Sequence, residues 1–157
     1  INPKGYVPAL GLDEGGVLTE GPAIVQYIAD RNPASGLAPA AGTLARYRLQ
    51  EWLNFISTEV HKQFSPLFNP GSSEDVKSAA RERLGSRFEW IAAQMAGKQY
   101  LMGDTFTVAD GYLFTVMNWA PRVKVDLSRW PVLGDYVARV AARPAVQEAM
   151  RAEGLIK

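Results

Sequence analysis

The sequence predicts a mainly α protein with a small α/β piece at its front, made of one hairpin and one helix. Three observations carry that reading. Strand-like patterning around a turn signal is confined to residues 6–19. A Pro/Gly/Ala-rich stretch, "NPASGLAPAAG" (Asn32–Gly42), then interrupts any periodicity. Beyond it, apolar residues recur at helical spacing between capping residues and prolines.

In order along the chain, "YVPALGL" (Tyr6–Leu12), the turn "DEGG" (Asp13–Gly16) and "VLT" (Val17–Thr19) read as a β-hairpin. A helix follows to about Arg31, with Ala23, Ile24, Tyr27 and Ile28 on a narrow apolar face. Pro22 suits the first helical position, where its missing N–H is no loss. After the linker, helices are expected over about 43–68, 74–96, 107–121, 131–142 and 144–152. Thr43 can cap the first of these, and Ser73 with Glu74 and Asp75 opens the second, acids suiting the helix dipole. Pro131 and Pro144 sit where helices can begin but cannot continue. A lone hairpin is marginal in water. Residues 1–32 therefore read as the remainder of a larger α/β unit, with 33–42 a linker and 43–157 all-helical.

Composition narrows the function. With 157 residues, 47% of them apolar, the chain fills one ordinary domain, or one plus part of another. Its 17 basic and 16 acidic side chains are well mixed, which argues against nucleic acid or a membrane surface as partner. Zero cysteines exclude disulfides, thiolate metal sites and a cysteine nucleophile in this chain, and fit a cytoplasmic home. No apolar run approaches the roughly 18 residues of a membrane span, and no signal-peptide pattern is present. No metal cluster, catalytic triad or phosphate loop stands out, so the expected metal is none.

A few residues invite a chemical reading. In Thr19-Glu20-Gly21-Pro22 the Gly21 N–H would point out at the positive end of a helix dipole, a ready place for a carboxylate. Glu20 beside it can take an ammonium, so together they suit the amino-acid end of a ligand; an ordinary capped helix start has the same punctuation. Pro8 in a strand-like run marks an edge, a bulge or a cis bond. Val7 before it can then offer its backbone to an extended peptide, or simply lie on an edge strand. On the long helix Leu49, Leu53, Ile56, Val60 and Leu67 form the core stripe, while Asn54, Thr58, His61 and Ser65 fall nearly opposite, as wet surface or as a binding face. Thr107 and Asp110 have capping-box spacing. Tyr112 and Trp119, seven apart, share a helix edge.

Taken together, "NPKGYVPAL", a short hairpin, "LTEGPAIVQYIAD", a linker and helices resemble the glutathione transferases, most closely the bacterial beta-like class. The resemblance continues through "RYRLQEWLNFISTEVHKQFSPLF", "LMGDTFTVADGYLFTVMNWA" and "RPAVQEAMRAEGL". It implies a thioredoxin-like amino-terminal domain whose first βαβ unit precedes this sequence, and an all-α second domain. It implies that Glu20 and Gly21 hold the γ-glutamyl end of glutathione, and that Val7 before a cis Pro8 pairs with the cysteinyl unit. Where the family often has serine, this chain has Gly21, so only the backbone N–H remains there. Asn54, Thr58, Glu59, Val60 and His61 match positions near glutathione, some reaching across a dimer interface. His61 would tune a thiolate, or a water near the sulfur, rather than be essential. Lys62, Phe64, Tyr112 and Trp119 match an electrophile pocket, and Thr107 with Asp110 the folding box of the helical domain. The catalytic residue itself is unknown in this sequence, since the family's donor or cysteine lies in the preceding unit.

The resemblance thus implies a bacterial detoxification enzyme, a cytoplasmic homodimer that uses glutathione as co-substrate. Its thiolate would attack a small, apolar electrophile. The other class the sequence allows is a non-catalytic scaffold of the same fold, used for dimerisation or protein contacts.

Overall fold

The computed structural model describes residues 2–157. The chain opens with a tight turn in which the Gly5 N–H donates to the Asn2 carbonyl at 2.9 Å and Asn2 Nδ2 reaches the Tyr6 carbonyl at 2.8 Å. This turn and the cis Val7–Pro8 peptide shorten the first strand expected over Tyr6–Leu12. What remains is β1, Ala9–Gly11, paired antiparallel with β2, Val17–Thr19, in the register Leu10 opposite Leu18. The reversal uses Gly15 and Gly16 at φ 93° and 89°, values that a side chain disfavours.

Helix α1 spans Gly21–Arg31. It begins one residue earlier than the proline suggested, with Glu20 as its N-cap and Pro22 second in the helix. A short three-ten turn, Pro33–Ser35, lies within the linking stretch. The long helix expected over 43–68 is two helices, α2 (Leu44–Phe55) and α3 (Lys62–Phe68). Between them, Ile56–His61 forms a wide π turn. Then come α4 (Glu74–Gln94), α5 (Val108–Met117), α6 (Pro131–Ala141) and α7 (Pro144–Ala152). The helix expected to reach residue 121 stops at Met117, and a three-ten turn over Ala120–Val123 follows.

Local chemistry sets these starts. The Thr43 hydroxyl accepts from the Arg46 N–H at 3.2 Å, and that of Ser73 from Val76 at 3.4 Å. Asp110, fully buried, takes four donors: the N–H and hydroxyl of Thr107 at 2.8 and 3.0 Å, the Leu101 N–H at 2.9 Å and the Tyr136 hydroxyl at 3.1 Å. The start of α5 is thereby pinned to the preceding loop and to α6. A buried carboxylate is tolerable only when satisfied in this way.

The core runs through the helical part. Leu49, Leu53, Ile56, Val60 and Phe64 meet Leu84, Phe88 and Ile91 of α4, Leu113 and Met117 of α5, and Leu133, Tyr136 and Val140 of α6. Helix α1 is fixed to α2 by polar contacts: Arg46 grips Asp30, and Gln50 donates to Gln26 at 3.1 Å. None of the described helices is long and apolar enough to cross a membrane.

Candidate functional site

The start of α1 leaves one backbone donor unpaired among the described residues. Glu20, the N-cap, has φ 69°, a conformation that costs energy outside glycine and is found disproportionately at functional sites. Its side chain makes no capping bond, and the Gly21 N–H has no partner among the described residues. Pro8 lies beside it, since a Cβ built on Gly21 would sit 3.7 Å from Pro8 Cγ. The cis Val7–Pro8 peptide and the α1 N-terminus therefore share one small surface, with Val7 almost wholly exposed.

The Glu20 carboxylate is not free. Lys4, carried on the opening turn, donates to it at 2.7 Å and so holds its pKa below the ordinary glutamate value. Sequence reasoning missed Lys4, although the Asn-Pro-x-Gly signature of a tight turn announced a projecting residue there.

The second half of the site comes from α5 and the π turn. An ideal helix places His61 with Asn54, Thr58 and Ser65, and those three are exposed. His61 is instead half-buried. The wide turn rotates each residue less than an α-turn does, and α5 packs over it. Its Nδ1 lies 2.7 Å from the Tyr112 hydroxyl, and its ring meets that of Trp119 edge-on at 4.9 Å. Trp119 lies beyond the end of α5 yet completes the same aromatic corner, packing on Phe64 and Phe68 at 5.5 and 5.7 Å.

Burial pushes the His61 pKa down, helped by the charge of Lys62, and pushes the Tyr112 phenol up; both are neutral near pH 7. The two halves feel each other. The charge of Lys62 helps lower the Glu20 carboxyl, and that of Glu20 helps raise the Tyr112 phenol. A carboxylate, an imidazole and a phenol from three separate elements, with Lys62 next to the imidazole, thus influence one another's charge.

Other predicted residues go elsewhere. Glu59 is held by Arg87 of α4 through Nε at 3.0 Å and Nη2 at 2.8 Å. The side chains of Val60 and Phe64, four residues apart on one face, are fully buried in the core. Phe64 forms the floor beneath Trp119. Asn54 and Thr58 remain exposed, linked by the Thr58 hydroxyl donating to the Asn54 carbonyl at 2.9 Å. Thr107 and Asp110 serve the fold and lie outside the site. A groove of about 480 Å³ on another flank, lined by Trp52, Phe55 and Trp90, contains none of the predicted residues.

Comparison with known proteins follows the same lines. Residues 55–144 match the family model described as glutathione S-transferase, C-terminal domain. The chain is 44% identical to glutathione S-transferase GstA of Escherichia coli O157:H7, across 99% of this chain and 77% of that protein. It superposes on a sphingomonad glutathione S-transferase complexed with glutathione with TM-score 0.94 and 49% identity, covering 99% of this chain and 77% of the other. The bacterial beta class glutathione S-transferase of Sphingomonas chungbukensis gives TM-score 0.95 and 48% identity, with the same 99% and 77% coverage.

Proposed function

Because this chain belongs to the glutathione S-transferase family, we propose that glutathione lies across the face between the α1 N-terminus and the His61–Tyr112 corner. The protein is a glutathione S-transferase. The observation that carries the placement is the coupling just described. Glu20, at positive φ beside an unpaired Gly21 N–H, is felt by the phenol of an imidazole–phenol pair supplied by other elements.

In this reading the γ-glutamyl ammonium takes the Glu20 carboxylate, exchanging with Lys4, and its carboxylate takes the Gly21 N–H at the positive helix end. The backbone of Val7, a residue almost wholly exposed, pairs with the cysteinyl unit, and the sulfur comes to the side of His61. The thiolate is the nucleophile, so nearby donors and positive charge set how much of it exists at neutral pH. Lys62, Tyr112 and Trp119 border a small, apolar electrophile that it attacks. Residues 1–32 act as a glutathione-binding thioredoxin-like part, 33–42 as linker and 43–157 as the helical domain. The exposed face of Asn54 and Thr58 suits a homodimer in which each α2 helps close the partner's site. The setting we propose is cytoplasmic detoxification.

Calorimetry on the full-length protein tests the placement. Glu20→Gln should raise the glutathione Kd about tenfold, as expected when a charged partner is removed. An unchanged Kd would sink the assignment. A non-catalytic scaffold predicts no glutathione binding at all, and the unpaired Gly21 N–H at the α1 start weighs against it.

A further inference from the structure

We infer that Tyr112 is a positioning residue which fixes the tautomer of His61. Its hydroxyl donates to Nδ1, so the ring proton sits on Nε2 and His61 presents a hydrogen-bond donor rather than a base. The inference rests on the reading above only for what Nε2 meets, not for the tautomer.

The argument is one of donors and acceptors. Tyr112 Oη and His61 Nδ1 are 2.7 Å apart, short enough for a well-formed bond between neutral groups. Neutral imidazole carries one proton, and the bond made by one nitrogen decides where it goes. A phenol hydroxyl is a better donor and a poorer acceptor than the basic nitrogen of a neutral imidazole, which gives the phenol's own proton to Nδ1. Nε2 has no partner among the described residues, yet no buried side-chain nitrogen there is left unsatisfied. Nε2 therefore opens to solvent. The edge-on Trp119 ring at 4.9 Å and the Tyr112 ring at 5.8 Å keep the imidazole from turning over.

The two tautomers make opposite chemistry. With the proton on Nε2, His61 donates to an anion and stabilises a thiolate already formed, its proton having gone to water. With the proton on Nδ1, Nε2 would be a lone-pair base that must take the thiol proton itself.

Long-range ¹H–¹⁵N spectra of the full-length protein without ligand read the tautomer directly, His61→Gln identifying the signal by its loss. The expected result near neutral pH is a protonated Nε2 and a bare Nδ1, and Tyr112→Phe should collapse that preference to a mixture. A wild-type ring protonated on Nδ1 overturns the inference whether or not the variant folds. So does a tautomer unchanged in Tyr112→Phe. With glutathione bound, the thiolate absorbance followed against pH should shift upward by about half to one unit in either variant. If the tautomer collapses in Tyr112→Phe but neither variant moves that midpoint, the positioning of His61 stands and its place beside the sulfur falls.

Discussion

The guanidinium of Arg46 holds both oxygens of Asp30, Nη1 to Oδ2 at 3.0 Å and Nη2 to Oδ1 at 2.5 Å. The pair is lopsided: the Arg46 side chain is 7% exposed and that of Asp30 49%. Nε of Arg46 also reaches the Pro39 carbonyl at 2.7 Å, so one side chain ties α1, the linker and α2 together. Bidentate geometry of this kind fixes orientation as well as contributing energy. Helix α1 carries Glu20 and Gly21 at its other end, so the clamp sets where the proposed ligand-binding donors point.

Arg46→Met should therefore cost about 1–3 kcal/mol, the half-exposed Asp30 being rehydrated rather than stranded. In a chain of this size that lowers Tm by roughly 3–10 °C, measurable by calorimetry. Arg46→Lys should recover little, since an ammonium cannot span both oxygens and the Pro39 carbonyl. Full recovery by lysine would mean that charge alone, and not the fork, holds α1.

Gly21→Ser should tighten glutathione binding. Gly21 has ordinary backbone angles, and the new Cβ would make an ordinary contact 3.7 Å from Pro8 Cγ. The added hydroxyl at the α1 start is worth about 0.5–1.5 kcal/mol if it meets the ligand carboxylate, a roughly two- to tenfold lower Kd. A weaker Kd at unchanged Tm would place the carboxylate elsewhere.

The pH dependence of stability should carry the signature of His61. Burial holds its pKa below the ordinary 6.5, so between those two values the unfolded chain binds a proton that the folded one does not. Stability must then rise with pH across that window and fall on acidification through it. Urea titrations of wild type and His61→Gln at a series of pH values should show the slope shrinking in the variant. An equal slope in both would assign it to other groups.

Asp110→Ala should damage folding and spare chemistry. It removes an acceptor from the buried N–H groups of Leu101 and Thr107 and from the Tyr136 hydroxyl. Unsatisfied donors and a lost cap together cost about 2–4 kcal/mol. Tyr136→Phe removes only one bond and should cost about 1 kcal/mol. Turnover per folded molecule should survive both changes. A stable but inactive Asp110→Ala protein would move this carboxylate into the catalytic machinery.

Much of the fold is written in local chemistry, and that part was legible in the sequence. Thr43 and Ser73 cap their helices because a hydroxyl at that position always has an N–H two or three residues on to serve. Pro131 and Pro144 begin helices, and the paired glycines of the hairpin turn it, for reasons contained in a few adjacent residues. Of the Leu49–Leu53–Ile56–Val60–Leu67 stripe expected from periodicity, the first four are buried and Leu67 is partly buried against the core. Family resemblance supplied the ligand class, and the Glu20–Gly21 start showed which residues could meet it.

Only tertiary structure decided which half-polar residues face one another. Periodicity put His61 with Asn54 and Thr58 on a wet stripe, and assumed one unbroken helix. A wide turn and the packing of α5, a segment 51 positions away, half-buried it against Tyr112 instead. Glu59 looked as available as His61 until Arg87 claimed it from α4. Arg46 and Asp30, 16 residues apart across an aperiodic linker, carry no local sign of their pairing. The physical reason is the same in each case. Caps and turns are satisfied within a few residues, whereas a buried charge or imidazole is satisfied by whatever the packing brings against it.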